Sequence, residues 1–510
     1  MAKGTVIYDT LSSSSNEERE EFINNRSRPI RRNPLFYLAF TVIISLFVGC
    51  IILLHYSFNV EPKRNVIMMI SDGFGPASET YSRLYYQWSK NLPVDYETPL
   101  DSILVGASRT RSNSSMITDS AAGATAISCI MKTYNNAIGV DSDEVPCGTV
   151  LEAAKANGLL TGLVVTSRIT HATPASFSSH VVHRNLEHLI AEQQIGITCR
   201  PDEKDLIQQA QKGGFGYIQS RKEFDNLRTD SSFPLLGLFA LDHMDYDIDR
   251  DPVAQPSLSE MTQKALDLLS KSTEKSDKGF FLMVEGSRID MAAHENDPVG
   301  HLHEILAYQD TVATVKKYVD ANPGTVMISV SDHETGGFTV GRQVTTSYPK
   351  YIWYPEVISK CKKSSFALGQ MLFTYDKEDR REFASGMVKE QLGITDATKE
   401  ELDFLGNKHG ASDYAHHLSE MVSVRAELGW TTHGHTGVDV NLYAYGADSH
   451  QLAGNHENTE IGRFIRNYLS LDLDSITASL KKNTPQTRGD EGTMKKLHMR
   501  GIDVHGDYLP

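Results

Sequence analysis

Three short apolar runs, each followed directly by an acidic residue, constrain the fold of this chain more than any other feature. The runs occupy residues 65–71, 280–284 and 325–331, and the acids that follow them are Asp72, Glu285 and Asp332. A short, uninterrupted apolar run is typical of a strand buried on both faces, as in a parallel sheet. Ligands of open α/β sheets collect beyond the carboxyl ends of the strands, so the three carboxylates are predicted to meet there. Taken alone, Asp72 is equally well explained as a turn residue before a glycine.

Helical patterns separate these runs, which predicts the α/β fold class. Segments 149–156 and 301–320 are predicted helices, and 40% hydrophobic residues in a chain of 510 suffice for a substantial core. We expect a doubly wound, mostly parallel central sheet flanked by helices, within one main domain over residues 59–482. Residues 343–428 have no ligand-like pattern and are interpreted as an inserted cap or crown. The polar segment 483–510 is predicted to be a flexible tail.

An uncharged segment, residues 35–58, is long enough to cross a lipid bilayer. The positive-inside rule places residues 1–34 in the cytosol as a flexible tail, and everything after the span on the far side. The arginines that set this orientation are Arg26, Arg28, Arg31 and Arg32. A cleaved signal peptide explains the segment less well, because the apolar core is too long and begins too far into the chain. The sequence predicts a single-pass type II membrane protein with an uncleaved signal anchor.

The cysteines beyond the span lie in a compartment that permits disulfides. They are Cys129, Cys147, Cys199 and Cys361, whereas Cys50 lies in the span. Four cysteines allow three full pairings, and the sequence does not choose among them. Asn113, in an Asn-Ser-Ser sequon, could be glycosylated in that compartment, whereas the sequon at Asn25 faces the cytosol.

The net charge of the chain limits its possible partners. A formal net charge of -15 argues against nucleic-acid binding, because no large basic surface remains to release counterions from phosphates. An anionic substrate would require bound metal ions or a well-placed arginine to reverse the sign locally.

Residues 118–126 place a serine, Ser120, after an acid and before a run of small residues. This pattern predicts a tightly packed helix with Ser120 at its N-terminus, where backbone N–H groups and the helix dipole favour an anion. Such a position suits a nucleophile that attacks phosphorus. The alternative is that Ser120 only caps a buried, alanine-rich helix.

Histidines and carboxylates recur at the ends of the predicted strands. Asp290 and His294 stand four residues apart, so on a helix they share one face and can hold one ion; an exposed ion pair is the alternative. His333 directly follows Asp332. Either His433 or His435 could complete a metal site, and spacing alone does not decide. Such nitrogen and oxygen donors suit zinc, and all-oxygen sites suit magnesium.

Two further segments carry polar side chains that could serve the same site. The strand-like run 159–166 leads into residues 168–174, which include His171 and Thr173. Arg184 could hold a phosphoryl group through two parallel hydrogen bonds, although nothing in its neighbourhood distinguishes it from a surface arginine.

These motifs, taken together and in this order, resemble those of the alkaline phosphatase family. They are ISDGFG, TDSAAGATA, THATP, VEGSRIDMAAH, SDHETGG and HTGVDVNLYAYG. The resemblance covers about residues 62–480. With its predicted anchor, the chain is most similar to the fungal vacuolar, membrane-anchored members.

The resemblance implies roles for particular residues. Ser120 would be the nucleophile that becomes phosphoserine, Arg184 would hold the phosphate, and His171 would lie beside the magnesium site. His435 is preferred to His433 because the family's ligand directly precedes Thr-Gly. The implied metal sites are Asp290, His294 and His435 for one zinc, Asp72, Asp332 and His333 for the second zinc, and Asp72, Thr173 and Glu285 for magnesium.

The implied activity is hydrolysis of phosphate monoesters to an alcohol and inorganic phosphate at alkaline pH. Two Zn²⁺ and one Mg²⁺ per subunit against four carboxylates leave a site charge of about +2, or +3 with Arg184. Broad specificity toward small phosphate monoesters, phosphopeptides among them, is expected because little beyond the phosphoryl group needs recognition. The resemblance further implies a homodimer with its catalytic domain in the vacuolar lumen.

The chain departs from the family pattern in one place. Between residues 194–196 and 199–201 the family carries a further stretch, with an apolar strand and a glycine-rich loop, that has no counterpart here. No implied ligand is lost, but a strand of the central sheet would be. Two other interpretations stay open: a membrane-anchored phosphodiesterase or nucleotide pyrophosphatase of the same superfamily, which usually has a threonine nucleophile and lacks the magnesium ligands, and an inactive ectodomain that binds partners.

Overall fold

The computed structural model of the chain describes residues 34–58, 63–195 and 206–483. The chain separates into two units, residues 1–61 and residues 62–510. In the first unit a single helix, α1, runs over Pro34–Phe58. The predicted break at residues 196–199, Cys199, and nearly all of both predicted tails lie outside the described residues.

The predicted membrane span coincides with α1. Among the residues that the structure describes, no helix is both long and apolar enough to cross a membrane. The side chains of residues 36, 37 and 50–58, which belong to the predicted span, lie outside the described set. Membrane anchoring therefore stays a prediction.

The central sheet of the second unit has seven strands in the order β11-β2-β10-β7-β1-β6-β3. The neighbours are parallel except at β10, which is antiparallel to both β2 and β7. The prediction of a mostly parallel sheet is confirmed. Its strands are β1 Asn65–Ser71, β2 Leu104–Arg109, β3 Leu160–Val165, β6 Phe280–Gly286, β7 Thr325–Val330, β10 Val440–Gly446 and β11 Gly454–Glu457. The two small sheets pair β4 Gly216–Ile218 with β5 Leu235–Gly237, and β8 Glu334–Thr335 with β9 His435–Thr436.

Helices cover both faces of this sheet. In chain order the helices of the second unit are α2 Pro76–Lys90, α3 Ser120–Cys129, α4 Val150–Ala156, α5 Ala172–Ser178, α6 Glu187–Gln194, α7 Leu206–Lys212, α8 Arg221–Asn226, α9 Leu258–Thr273, α10 Arg288–His294, α11 Pro298–Ala321, α12 Pro355–Ile358, α13 Ser365–Thr374, α14 Arg380–Gln391, α15 Lys399–Gly406, α16 Ala411–Ala426, α17 Asn458–Leu469 and α18 Leu473–Asn483. Two short 3₁₀ helices, Asp101–Ile103 and Ser449–Leu452, complete the described elements.

The three apolar runs found in the sequence form adjacent strands at the centre of the sheet. All residues of β1, β6 and β7 are buried. Along β1, side chains alternate between two apolar clusters: Met68 packs with Ile127 of α3, and Met69 packs with Val312 of α11. Ile70 lies opposite Glu285 on β6 and opposite Val330 on β7. The three strands therefore end nearly level, and Glu285 near the end of β6 shares one edge of the sheet with Asp72 and Asp332, which lie beyond β1 and β7.

The segment interpreted as a cap contains helices α12 to α16. These helices surround an apolar cluster of their own, in which Leu372 of α13 packs with Leu418 of α16. Tyr81 of α2 and Leu302 of α11 belong to the same cluster. Helices α12 to α16 therefore pack against α2 and α11.

The strand β3 is an edge strand. It pairs with β6, and no other described strand pairs with its opposite side. All six of its residues, Leu160–Val165, are only half-buried, in contrast to the fully buried strands at the centre. Its sequence, LTGLVV, has no charge and no proline, as expected of an interior strand rather than an edge.

The structure pairs two of the four cysteines. Cys129, at the end of α3, forms a disulfide with Cys147, and their Cα atoms are 5.8 Å apart. Within the described residues Cys361 is a buried free thiol. The structure therefore pairs Cys129 with Cys147, a choice that the sequence left open.

Candidate metal centre and nucleophile

Ser120 is the first residue of α3 and is buried. The side chain of Asp119 caps this helix by accepting a hydrogen bond from the backbone N–H of Ala122 (3.0 Å). The small residues predicted to pack tightly are needed: a Cβ added to Gly123 would lie 3.0 Å from the Cβ of Asp332. A larger side chain there would push α3 away from the end of β7.

The hydroxyl of Ser120 faces the first group of candidate ligands. Its Oγ lies 3.1 Å from Nε2 of His333. The same Nε2 atom lies 3.5 Å from Asp72 Oδ1 and 3.4 Å from Asp332 Oδ2. Candidate ligand atoms of these three residues all lie within 4.8 Å of one another, and all three residues are buried. This is the set that the resemblance assigned to the second zinc.

A second group lies next to the first. His294 Nε2 is 3.3 Å from Asp290 Oδ2, and His435 Nε2 is 3.7 Å from Asp290 Oδ1. Asp290 and His294 lie one turn apart on α10, as their spacing predicted. The ring of His333 stacks on that of His435 with centroids 3.5 Å apart, so His333 adjoins both groups.

The two histidines of this group point lone pairs at each other. Nδ1 of His294 donates a hydrogen bond to the carbonyl oxygen of His433, and Nδ1 of His435 donates to that of Thr118 (2.8 Å). Because each ring then carries its proton on Nδ1, both Nε2 atoms present lone pairs, and they are 3.1 Å apart. Burial lowers the pKa of His435, which opposes a shared proton. A metal ion fits between these atoms better than a proton does.

The structure separates the two histidines that the sequence left as alternatives. His435 lies inside the cluster, on β9. His433 is exposed, and its Nδ1 donates to the carbonyl oxygen of His294 (2.7 Å). His294 and His433 thus exchange two reciprocal hydrogen bonds that tie α10 to the loop before β9.

A third group contains Asp72, His171 and Glu285, whose candidate ligand atoms lie within 4.8 Å of one another. Two serine hydroxyls donate to Glu285 Oε2, that of Ser287 at 2.6 Å and that of Ser167 at 3.4 Å. The sequence predicted that His171 lies beside this site, whereas the structure places its ring among the ligands.

Thr173, the remaining implied ligand of this site, is fully buried on α5. It lies two residues beyond His171, in the helix that follows β3. Its hydroxyl has no hydrogen-bond partner among the described residues, but it lies close enough to the Glu285 carboxyl to oppose the rise in pKa that burial causes. All three implied magnesium ligands therefore face one buried volume.

Buried carboxylates dominate the electrostatics of the cluster. Burial, followed by the charges of neighbouring acids, raises the pKa of Asp72 well above its usual range, and burial raises the pKa of Asp332 to about 7. Neither oxygen of Asp72 accepts a hydrogen bond from the described residues, and the same holds for Oε1 of Glu285 and Oδ2 of Asp332. Buried acceptors without donors are costly unless a cation binds them. The donor set therefore fits bound divalent ions.

Arg184 lies between α3 and the third group. Its Nη1 donates to Asp119 Oδ2 (3.2 Å), and its Nη2 donates to Nε2 of His171 (3.0 Å). The guanidinium is nine-tenths buried. It is therefore held near Ser120, where the resemblance expects an arginine that binds phosphate.

The sequence reasoning missed two serines that hold the site together. Ser287 Oγ accepts hydrogen bonds from the backbone N–H groups of Thr166 and Ser167 while it donates to Glu285, and so joins β3 to β6. Ser331 Oγ accepts from the N–H of Phe74 (2.9 Å) and donates within the loop after β7. Both serines lie inside the motifs, but spacing gives no sign of such roles.

Asn113 lies in a different kind of environment. It is exposed, and its side-chain amide donates to Ser142 Oγ (2.7 Å). Its exposure allows glycosylation, which stays a prediction.

Comparison with known proteins identifies the family. A model of the family described as alkaline phosphatase matches residues 63–199 and 188–471. The two matched segments overlap at residues 188–199, around the predicted break. Among curated proteins, the alkaline phosphatase of Schizosaccharomyces pombe is 46% identical over 83% of this chain and 84% of its own length. The repressible alkaline phosphatase of Saccharomyces cerevisiae is 43% identical over 84% and 85%.

Solved structures agree with these relatives. The cold-active alkaline phosphatase of a Shewanella species has a TM-score of 0.69 and 32% identity, covering 79% of this chain and 99% of that one. The Thermus thermophilus alkaline phosphatase also has a TM-score of 0.69, with 26% identity over 83% and 96%. Since the match spans most of the chain in sequence and in fold, and the candidate metal ligands surround the serine that begins α3, this enzyme belongs to the alkaline phosphatase family.

Proposed function

We propose that this enzyme hydrolyses phosphate monoesters through a phosphoserine at Ser120, at alkaline pH and with broad specificity. The observation that carries the proposal is the 3.1 Å approach of Ser120 Oγ to Nε2 of His333, at a helix N-terminus inside a cluster of buried carboxylates. A serine placed there can attack phosphorus while N–H groups of the helix end receive phosphoryl oxygens.

The proposed metal ions are assigned to the three groups of candidate ligands described above. Two zinc ions and one magnesium ion per subunit would be held by the three sets assigned above, with Asp72 shared between the second zinc and magnesium. When bound, these ions supply Lewis-acid stabilisation of phosphoryl oxygens and lower the pKa of a bound hydroxyl or water. A histidine-to-glutamate mutant of the TAB5 alkaline phosphatase is described as having magnesium bound in its M3 site, which supports a magnesium-binding third site in the family.

The chain's own residues account for binding and proton movement. Arg184 and the N-terminal amides of α3 would hold the phosphoryl oxygens in line with the serine. As the bond between Ser120 Oγ and phosphorus forms, the bond from phosphorus to the ester oxygen breaks, and the proton that the serine hydroxyl loses balances the proton that the leaving alcohol gains. The alcohol leaves with one proton. Water then attacks phosphoserine, releasing inorganic phosphate and restoring the serine hydroxyl.

Hydrolysis of nitrophenyl phosphate by the purified full chain tests this proposal, measured across pH with and without added zinc and magnesium. We expect metal-dependent activity that rises on the alkaline side, and a large preference over bis-nitrophenyl phosphate. A preference for the diester would favour the phosphodiesterase interpretation. A folded, metal-loaded chain that cleaves neither substrate would favour an inactive binding domain.

Ser120→Ala isolates the nucleophile. We expect turnover to fall by more than about 1,000-fold, with zinc content unchanged because no proposed ligand is lost. Ser128→Ala is the matched control, since Ser128 is a buried serine of the same helix whose hydroxyl donates to the Ser176 carbonyl (2.6 Å). Full activity of Ser120→Ala would contradict the mechanism.

We further propose that the enzyme is anchored by residues 35–58, with its catalytic domain in the vacuolar lumen, and that it forms a homodimer. The arginines before the uncharged segment support this orientation, and the Cys129–Cys147 disulfide supports an oxidising compartment. Protease added to intact vesicles should remove an N-terminal tag and spare the phosphatase domain. Sedimentation of the detergent-solubilised protein tests the dimer.

A further inference from the structure

Thr335 lies between two of the metal-ligand groups without belonging to either. It is fully buried on β8, two residues after His333. Its Oγ1 lies 2.5 Å from Asp290 Oδ1 and 3.2 Å from Nδ1 of His333. One hydroxyl therefore contacts a candidate ligand from each zinc group.

The direction of these hydrogen bonds follows from the atoms involved. A hydroxyl has one proton, and the carboxylate of Asp290 can only accept it. The oxygen of Thr335 then accepts the proton carried by Nδ1 of His333. With Nδ1 protonated, the lone pair of that neutral ring must be on Nε2. Nε2 is the atom that faces Ser120, Asp72 and Asp332.

The backbone fixes Thr335 in this position. Its N–H donates to the carbonyl oxygen of Gly73 (3.2 Å), in the loop that follows Asp72. In the short sheet it is the direct partner of His435. The backbone of Thr335 thus pairs with segments that carry candidate ligands of both groups. A small shift of its hydroxyl would therefore affect the ligands of both groups.

We propose that Thr335 is a positioning residue that joins the two zinc sites. Its hydroxyl orients the Asp290 carboxylate and holds His333 in the Nδ1-protonated form, so that the lone pair of Nε2 is available to a metal ion. Loss of the hydroxyl would weaken metal binding at both sites at once. The inference rests on the proposed metal-dependent hydrolysis for its catalytic meaning, but its binding test does not.

The test uses Thr335→Val, which keeps the shape and removes the hydroxyl, and Thr335→Ser, which restores the hydroxyl. Zinc is titrated into the metal-free full-length protein against a chelating dye. We expect Thr335→Val to weaken zinc binding by about 10- to 100-fold, the usual effect of losing a hydrogen bond to a ligand. Thr335→Ser should stay within about 3-fold of wild type. Thr311→Val is the control, because Thr311 is a buried threonine whose hydroxyl only donates to the Ala307 carbonyl (2.8 Å).

Cobalt(II) provides a second readout of ligand geometry. In the cobalt-substituted protein, Thr335→Val should alter the visible absorption bands of both zinc sites, and Thr335→Ser should reproduce the wild-type spectrum. Wild-type zinc affinity and wild-type cobalt spectra in Thr335→Val would overturn the proposal. An inactive wild-type enzyme whose zinc affinity still depends on the Thr335 hydroxyl would refute the proposed function and leave this inference standing.

A measurement on the unmodified protein covers the case in which Thr335→Val does not fold. Nitrogen-15 labelling of histidine distinguishes the two ring tautomers by their chemical shifts. In the metal-free enzyme His333 should carry its proton on Nδ1. A proton on Nε2 would contradict the inferred direction of the hydrogen bonds and overturn the proposal.

Discussion

Single hydrogen bonds decide which nitrogen of each histidine faces the centre of the site. The carbonyl oxygen of Thr118 accepts from Nδ1 of His435 and leaves Nε2 with its lone pair. His433, two residues earlier, has its ring outside the cluster. The two histidines are equivalent in a sequence, because the acceptor that orients His435 is far away in the chain. Their roles could be assigned only by resemblance or by structure.

A pair of substitutions tests this difference. His435→Ala should remove a proposed zinc ligand and lower kcat/KM by more than about 100-fold. His433→Ala removes the hydrogen bond to the His294 carbonyl but keeps the backbone carbonyl to which His294 donates, so its loss should stay below about 10-fold. Zinc content and kcat/KM, measured for both variants, provide the comparison. If the two variants lost zinc content and kcat/KM equally, the placement of His433 outside the cluster would be wrong.

A second residue-scale prediction concerns Glu304, a buried acid outside the metal cluster. Burial raises the pKa of Glu304 to about 7, and the N–H of Asp247 donates to its carboxyl. The unfolded chain releases this proton near pH 4, so the folded protein loses stability as pH rises from there to about pH 7, by about 3 kcal/mol. Glu304→Gln still accepts from that N–H but does not titrate.

The free energy of unfolding, measured in urea at acidic and alkaline pH, checks this expectation. The wild type should lose stability between the two conditions, and Glu304→Gln should lose about 3 kcal/mol less. Both proteins must be loaded with metal, so that the carboxylates of the metal cluster contribute equally. Parallel losses in the two proteins would show that the Glu304 carboxyl titrates normally.

Whole elements meet the site at their ends. Strands β1, β6 and β7 deliver acids to the same edge of the sheet, α10 presents Asp290 and His294 on one face, and α3 brings its first residue to the same place. These placements could be predicted from sequence, because a buried run and the polar residue after it are neighbours in the chain. The depth to which α3 enters the site depends instead on helices that are distant in the chain.

Gly462 lets α17 pack closely against α3 and so helps to set the position of α3 at the site. A Cβ added there would lie 2.0 Å from the carbonyl oxygen of Ile127 in α3. Gly462→Ala should therefore push α17 away from α3 and destabilise the fold by about 1–3 kcal/mol. Gly386→Ala is the control: Gly386 lies in α14 with nothing within 4 Å of the added Cβ, and the change should stabilise that helix by about 0.5–1 kcal/mol. Urea unfolding of both variants measures the change in the free energy of unfolding. A change in the same direction in both variants would contradict the packing argument.

At the scale of the whole molecule, helices cover both faces of the sheet, and β3 forms one of its edges. The sequence indicated that a strand of the family pattern is absent, and β3 is the edge strand that precedes the predicted break. No described strand pairs with the outer side of β3, and an uncharged, unpaired strand edge is a site for pairing with other chains.

A charge on this edge should reduce such association. Thr161→Lys places a long, flexible cation on β3 at a half-buried position, and lysine is the residue that natural edges use against pairing. Light scattering during concentration of wild type and variant checks the effect, with nitrophenyl phosphate activity as the control for folding. Identical aggregation of the two proteins would mean that the edge is already covered.

The disulfide described above has a practical consequence for anyone who makes this enzyme. Cys129 is the last residue of the helix that begins with Ser120, so the bond to Cys147 secures the far end of that helix. In a reducing cytoplasm the bond does not persist, and the helix end is then held by packing alone. Production in a secretory host, or in a bacterial periplasm, should therefore yield more homogeneous enzyme than expression in an ordinary bacterial cytoplasm.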